Sequence, residues 1–275
     1  MASPKIIKFK ISYHHGDAND GRLDMYDASV SLQGFAKALS ITTHALLNEG
    51  EVKKHGNKVS GAKIYIHPSR KGSFEELIAI AVEHPIATSI GTSIVANVFY
   101  DLLKWTWSKT LELDYSPETP HVKRLDERIE PFIGEMEEAL EIPLEQAHKP
   151  IKQCEDMAIV IKRQQVGNVI RLDSQTLKSV SIRTNPNLET GIVGNVTRYN
   201  ILSPFGRFYD DELERTVSFK LEDEVTSAQK QLLTWSMHHA QNGNGGKIKL
   251  NVKRVTSAKG VLKRYLVYKV ESAES

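Results

Sequence analysis

Short runs of alternating polar and apolar residues in the C-terminal third of the chain constrain the fold most. A period of two is typical of strands with one buried face. Three such runs come first, then one helical segment, then two more runs: residues 191–202, 206–212 and 215–221, the helical segment 224–243, and residues 246–255 and 260–270. This element order predicts an OB-like five-stranded barrel with one helix, although other small barrels share the order.

The N-terminal part shows a different order of elements. Residues 6–13 alternate like a strand, and residues 24–50 show helical spacing, with Asp27 as the expected cap and Gly50 as the stop. Residues 61–83 contain two alternating runs around a turn, which indicates a hairpin. With the apolar stretch that follows, the sequence predicts a strand-helix-hairpin-helix layer, and the fold class is α+β.

Charge and proline content divide the chain into three parts. Residues 112–156 carry thirteen acids and five bases, a net charge of −8, and five prolines break their helical pattern. We therefore predict an N-terminal α+β domain at residues 1–111, an acidic helical connector at 112–156 and a barrel domain at 157–275.

A stretch without charge, residues 86–100, leaves three interpretations open. It is shorter than the roughly 20 apolar residues of a membrane span and contains Ser, Thr and Asn, so membrane insertion is disfavoured. A helix buried against the N-terminal sheet is favoured. The alternative is a self-association face, because small residues at helical spacing allow close backbone approach; its expected members are Ala87, Gly91, Ile94 and Val98.

Composition limits the cellular setting and the partners. The chain has 36 Lys and Arg against 34 Asp and Glu, so no global field favours a polyanion. The single cysteine, Cys154, excludes an intramolecular disulfide framework and suits a reducing compartment. The first residues alternate like a strand instead of forming an apolar signal core, and we expect a cytoplasmic protein.

One loop collects residue types that ligate hard cations: His14, His15, Asp17, Asp20, Asp24 and Asp27. Its spacing departs from a calcium loop, since Gly21 falls one place early and Ala28 occupies the position of the closing glutamate. A solvated loop with a helix-capping aspartate is favoured, and neither a metal nor another cofactor is expected. No enzyme motif occurs, so a metal-dependent enzyme at this loop is the third of the functional hypotheses.

The strongest local signal is a basic hairpin at residues 246–270, which holds eight cations and no acid. Lys247, Lys249 and Lys253 are expected to face outward. The predicted contact residues are Lys247, Lys249, Lys253, Arg254, Lys263, Arg264 and Tyr265. Three alternatives are open: nucleic acid bound by charge and stacking, charge pairing with the connector, the acidic turn 210–214 or a second copy, and a merely solvated face.

Three segments carry a family resemblance: "LDMYDASVSLQGFAKAL", "GSFE" and "GRFYDDELERTVSF". They resemble a bacterial family with an N-terminal α+β region, a C-terminal small β domain and no assigned activity. The resemblance implies a bacterial or phage origin and a two-part layout, and it carries over no catalytic residue.

Together these observations favour a non-enzymatic binding and assembly protein. We expect it to self-associate and to contact a partner, a second protein or nucleic acid, through the basic hairpin. A nucleic-acid-binding module that uses the same barrel face is the first alternative, and the metal-dependent enzyme is the second.

Overall fold

A computed structural model describes residues 5–54, 59–67, 74–83, 92–128, 132–243 and 245–273. The chain forms two compact units, Met1–Leu125 with Met136–Ser181, and Asp126–Glu135 with Ile182–Ser275. Helices and strands are both abundant, which confirms the α+β class.

The N-terminal unit contains a five-stranded sheet in the order β2-β3-β1-β4-β5, with antiparallel neighbours throughout. Its strands are β1 (Lys5–His14), β2 (Ala62–His67), β3 (Glu75–Val82), β4 (Ala158–Arg163) and β5 (Gly167–Leu172). Its helices are a 3-10 turn (Gly16–Asp20), α1 (Met25–Leu47), α2 (Thr92–Thr110), α3 (Pro120–Arg128), α4 (Phe132–Ala147), α5 (Lys149–Gln153) and α6 (Ser174–Val180), of which residues 126–135 group with the other unit.

The N-cap of the first helix lies three residues before the predicted cap. Asp24 is the N-cap of α1, and its side chain accepts a hydrogen bond from the Asp27 backbone N–H at 3.0 Å. The prediction that Asp27 caps this helix is wrong, because a capping carboxylate must precede the backbone N–H groups that it accepts from.

The α1 helix also touches the connector at a glycine. A Cβ atom on Gly34 would clash with the Pro143 carbonyl oxygen and lie 2.5 Å from the Ala147 nitrogen. Only glycine allows this approach, so α4 packs directly on α1.

The uncharged stretch is described only from Thr92 onward, where it forms α2. Phe99 is buried and stacks on Phe9 of β1, with ring centroids 6.3 Å apart. Trp107 is buried and donates to the Thr42 hydroxyl at 2.9 Å. This part is therefore a packing helix of the N-terminal core. In the portion of the chain that the structure describes, no helix is long and apolar enough to span a membrane.

Two strands of the N-terminal sheet fall in the part of the sequence assigned to the barrel domain. β4 pairs with β1, with Lys10 opposite Lys162, and β5 pairs with β4. The predicted division at residue 157 thus differs from the structure, where the N-terminal unit runs to Ser181. Residues 174–180 form helix α6, and Asp173 provides its capping box with Thr176.

The C-terminal unit is a closed barrel. Its elements are β6 (Ile182–Thr184), β7 (Glu189–Tyr199), β8 (Phe205–Asp210), β9 (Arg215–Leu221), α7 (Ser227–Gln241), β10 (Ile248–Ser257) and β11 (Leu262–Ser272). The order β7-β8-β9-β11-β10 closes because β10 pairs with β7, while β9 and β11 are parallel. This confirms the predicted OB-like barrel with one helix. The added strand β6 pairs with β10.

Candidate binding surface of the barrel

The basic hairpin consists of β10 and β11, and its facing follows the predicted alternation. Ile248, Leu250 and Val252 are fully buried in the barrel core. Lys249 lies between Ile248 and Leu250, and Lys253 follows Val252; both lysines are on the outward side and are half-buried. The period of two therefore positions these cations at the surface.

Three hairpin cations have carboxylate partners on the barrel itself. Lys247 lies 2.6 Å from Asp211, Arg254 lies 2.9 Å from Glu189, and Lys269 lies 2.8 Å from Glu271. Asp211 belongs to the acidic turn named among the alternatives.

Two connector acids have cationic partners in their own unit. Glu138 lies 2.6 Å from Lys54, and Glu145 lies 2.7 Å from Lys152. Glu138 and Glu145 therefore do not need a hairpin cation to neutralise their charge.

A β-bulge shapes the remaining cationic surface. The register passes from Asn251 opposite Lys269 to Val252 opposite Val267, which leaves Tyr268 without a partner. Bulges redirect side chains, and the Lys253 ammonium lies 5.1 Å from the centroid of the Tyr268 ring. No ion pair of Lys249 or Lys253 occurs among the described residues. We call Lys249, Lys253 and Tyr268 the hairpin patch.

Two predicted contact residues do not lie at this surface. Tyr265 is fully buried and donates a hydrogen bond to Asp210 at 2.6 Å, and burial raises its pKa. Arg264 is also buried. The bulge explains the position of Tyr265, because an extra residue in β11 shifts the phase of inward and outward side chains. Lys263 is half-buried and has polar contacts of its own.

A second surface of the barrel was not predicted. Residues 126–135 group with the barrel, and a side chain on Gly134 would lie 3.0 Å from the Ser218 hydroxyl of β9. The face of the second and third strands, here β8 and β9, is the one on which OB-folds bind oligonucleotides. A glycine inside a helical pattern is a sequence signal for such close approach.

The other predicted sites are placed as follows. Ile94 is 53% exposed and Val98 is half-buried on α2, whereas Ala87 and Gly91 lie outside the described residues. In the loop that runs from His14 to Asp27, Arg22 lies 3.5 Å from Asp17 and 3.6 Å from Asp20. Within the described ranges, no group of three or more His, Cys, Asp or Glu side chains is arranged to hold a metal ion.

Comparisons with known families support the two-part layout. A family model described as "Domain of unknown function (DUF7946)" matches residues 9–181, and one described as "Family of unknown function (DUF7947)" matches residues 189–271. Neither the curated proteins nor the solved structures give a match. The boundary between the two models coincides with the division of the structure after Ser181, and the resemblance to a two-part family is confirmed. Since the first model covers more than half of the chain, the protein belongs to the family of the domain of unknown function DUF7946.

Proposed function

We propose that this chain is a non-enzymatic binding and assembly protein that contacts an acidic protein surface through its hairpin patch. The observation that carries the proposal is the placement of Lys253 against Tyr268 by the bulge. A cation held on the half-buried ring of Tyr268 offers both charge and apolar area to a partner. Lys249 extends the same outward face.

The charges around the patch favour a protein partner over nucleic acid. Carboxylates of Asp211, Glu189 and Glu271 lie among the hairpin cations and would repel a phosphate backbone. Interleaved charges of both signs instead suit a protein surface of complementary pattern. The close approach of Gly134 to Ser218 of β9 also disfavours nucleic acid at the usual oligonucleotide face of this barrel type.

A second copy of the chain offers such an acidic surface. The connector has a net charge of −8, and among its described residues five acids are exposed: Asp114, Glu118, Glu127, Glu155 and Asp156. Charge complementarity between connector and hairpin patch is the basis for self-association. The exposed Ile94 on α2 is a further candidate contact. A bacterial or phage origin and a cytoplasmic location, suggested by the resemblance and the single cysteine, belong to the same proposal.

The test measures molar mass by light scattering, together with the ratio of absorbance at 260 and 280 nm. We expect the parent to be an oligomer free of nucleic acid and Lys249→Glu/Lys253→Glu to lower its mass, more strongly at low salt. Lys230→Glu, the same type of charge reversal at one exposed position of α7, is the control.

Combining the reversed hairpin with Glu155→Lys/Asp156→Lys should restore part of the mass, because complementary charges are again opposed. An unchanged mass in the hairpin double variant would refute the proposal. Loss of co-purifying nucleic acid in that variant would instead support the nucleic-acid-binding alternative.

A further inference from the structure

The outward face of the N-terminal sheet holds a group of cations that are far apart in the sequence. Lys8, Lys10 and His14 alternate along β1 on one side of the strand. Lys162 of β4 is directly opposite Lys10, and Arg171 of β5 is opposite Val160, which itself pairs with Ser12. All of these side chains therefore project from the same face.

Two lysines directly opposite each other are unfavourable, since like charges at paired positions of an antiparallel sheet repel. One carboxylate compensates Lys10: Glu75 lies 2.9 Å from its ammonium and 3.0 Å from the Ser12 hydroxyl. The hydrogen bond from Lys10 lowers the pKa of Glu75 and keeps it ionised. Among the described residues, no carboxylate lies within ion-pairing distance of Lys162.

The polar partner of Lys162 is a neutral imidazole. Its ammonium lies 3.4 Å from Nε2 of His14. Burial, followed by the charge of Lys162, lowers the pKa of His14, so the ring accepts a hydrogen bond at neutral pH. Arg171 lies 3.4 Å from Asp173 and remains half exposed. Within this group, the four cations Lys8, Lys10, Lys162 and Arg171 thus outnumber the two carboxylates Glu75 and Asp173.

We propose that this face binds a phosphate group through Lys10, Lys162 and Arg171, which with His14 we call the sheet patch. A phosphate placed between the two lysines removes their repulsion and accepts charge-assisted hydrogen bonds from both. The Arg171 guanidinium adds a planar donor of the kind that suits phosphate oxygens. The phosphate belongs either to a small free molecule or to the backbone of single-stranded nucleic acid.

Calorimetry with inorganic phosphate and fluorescence anisotropy with labelled oligothymidine test both sources on the full chain. Lys162→Met and Lys10→Met should each weaken binding about tenfold, the effect of losing one charge-assisted hydrogen bond. Glu75→Gln should tighten binding, because it removes the nearest repelling carboxylate. Lys109→Met, which removes an exposed lysine of α2 in the same unit, should bind like the parent.

The salt dependence separates the two sources. Binding to a nucleic-acid backbone falls with a slope of about −0.7 per phosphate contact for single strands, and each lysine variant lowers the slope. If the site binds a small molecule, its affinity for inorganic phosphate should equal or exceed its affinity for the oligonucleotide divided over the phosphates of that oligonucleotide.

His14 gives an independent readout. A bound phosphate adds negative charge near Nε2, so NMR titration of the His14 ring should show a higher pKa in phosphate than in chloride at equal ionic strength. The proposal is overturned if neither probe binds, or if the lysine variants bind like Lys109→Met. It is also overturned if His14 titrates identically in both salts.

Discussion

The outward faces of the two sheets differ in whether their cations have carboxylate partners. In the barrel, carboxylates on the barrel itself lie beside hairpin cations, as Glu189 lies beside Arg254 and Glu271 beside Lys269. In the N-terminal sheet, Lys162 stands opposite Lys10 and has a neutral histidine as its polar neighbour. The most basic segment of the sequence is therefore partly compensated by nearby carboxylates, whereas the less conspicuous Lys162 has no carboxylate partner among the described residues. Charge in the sequence predicts surface potential only when the pairing of strands is known.

The largest expected effect concerns a buried carboxylate inside the barrel and the hydrogen-bond donors around it. Asp210 is buried and accepts hydrogen bonds from the Tyr265 hydroxyl and from the backbone N–H groups of Glu212 and Leu213. Asp210→Ala should lower the free energy of unfolding by about 3 to 5 kcal/mol, because it leaves buried donors without an acceptor. Urea denaturation followed by the fluorescence of Trp235, the only tryptophan of the barrel, measures the change.

Asp211→Ala is the control for that experiment, since its carboxylate forms a partly exposed pair with Lys247. We expect it to cost at most about 1 kcal/mol. Equal losses for the two aspartates would show that the buried network does not hold the barrel together.

A second test measures stability at low pH, because the N-terminal unit holds a buried histidine in its neutral form. His148 is fully buried, with Nδ1 donating to the Leu144 carbonyl at 2.6 Å and Nε2 lying 2.8 Å from the Thr176 hydroxyl. Burial lowers its pKa to about 4. Between that value and the unfolded pKa of 6.5, the unfolded chain binds the extra proton, so stability falls as the pH decreases.

The full loss between pH 6.5 and pH 4 is about 3 kcal/mol. It is measured by urea denaturation with the emission of Trp105 and Trp107 as the signal. His148→Gln should be less stable at pH 7 but should lack this pH dependence. A parent whose stability is constant over this window would contradict the assignment of a neutral His148.

A third test isolates one hydrogen bond of the barrel. Tyr265→Phe removes the donor to Asp210 and keeps the ring in the core, so we expect a loss of about 1 to 2 kcal/mol. Tyr209→Phe, at a partly exposed position of β8, is the matched control and should be close to neutral. If both variants unfold at the same urea concentration as the parent, the buried pair contributes nothing to stability.

The smallest expected effect is the sharpest test of the difference between the two faces, because one lysine variant should raise stability and the other should lower it. Lys162→Met removes a like-charge contact and should raise stability by about 0.5 kcal/mol. Lys253→Met removes the cation from the Tyr268 ring and should lower stability by about 0.5 kcal/mol. Thermal unfolding at low salt resolves the two shifts, and shifts of the same sign would remove the distinction between the two faces.

Local sequence patterns predicted individual elements better than their pairing. The barrel followed from alternation and element order, because its strands are consecutive in the chain. The strands β4 and β5 look the same in the sequence as barrel strands, but β4 pairs with β1 roughly 150 residues away. No local pattern contains that choice.

The candidate surfaces show the same limit. Lys249 and Lys253 were predictable from the period of two, whereas the bulge at Tyr268 changed the phase and buried Tyr265. The sheet patch was missed because Lys10 and Lys162 become neighbours only through strand pairing. The prediction of Asp27 as the cap failed because Asp20, Asp24 and Asp27 follow one another at short intervals and offer similar local signals.

The strand order of the barrel has a consequence during protein synthesis. β10 pairs with β7, and β11 pairs with β9, so the two strands made last among the five complete both open edges of the first three. A ribosome needs on the order of several seconds to add the intervening residues. During that time the nascent sheet β7-β8-β9 exposes edges that can pair with another chain. We therefore expect deletion of β11 to yield insoluble protein in cells, whereas slower translation before β10 should lengthen the dependence on chaperones.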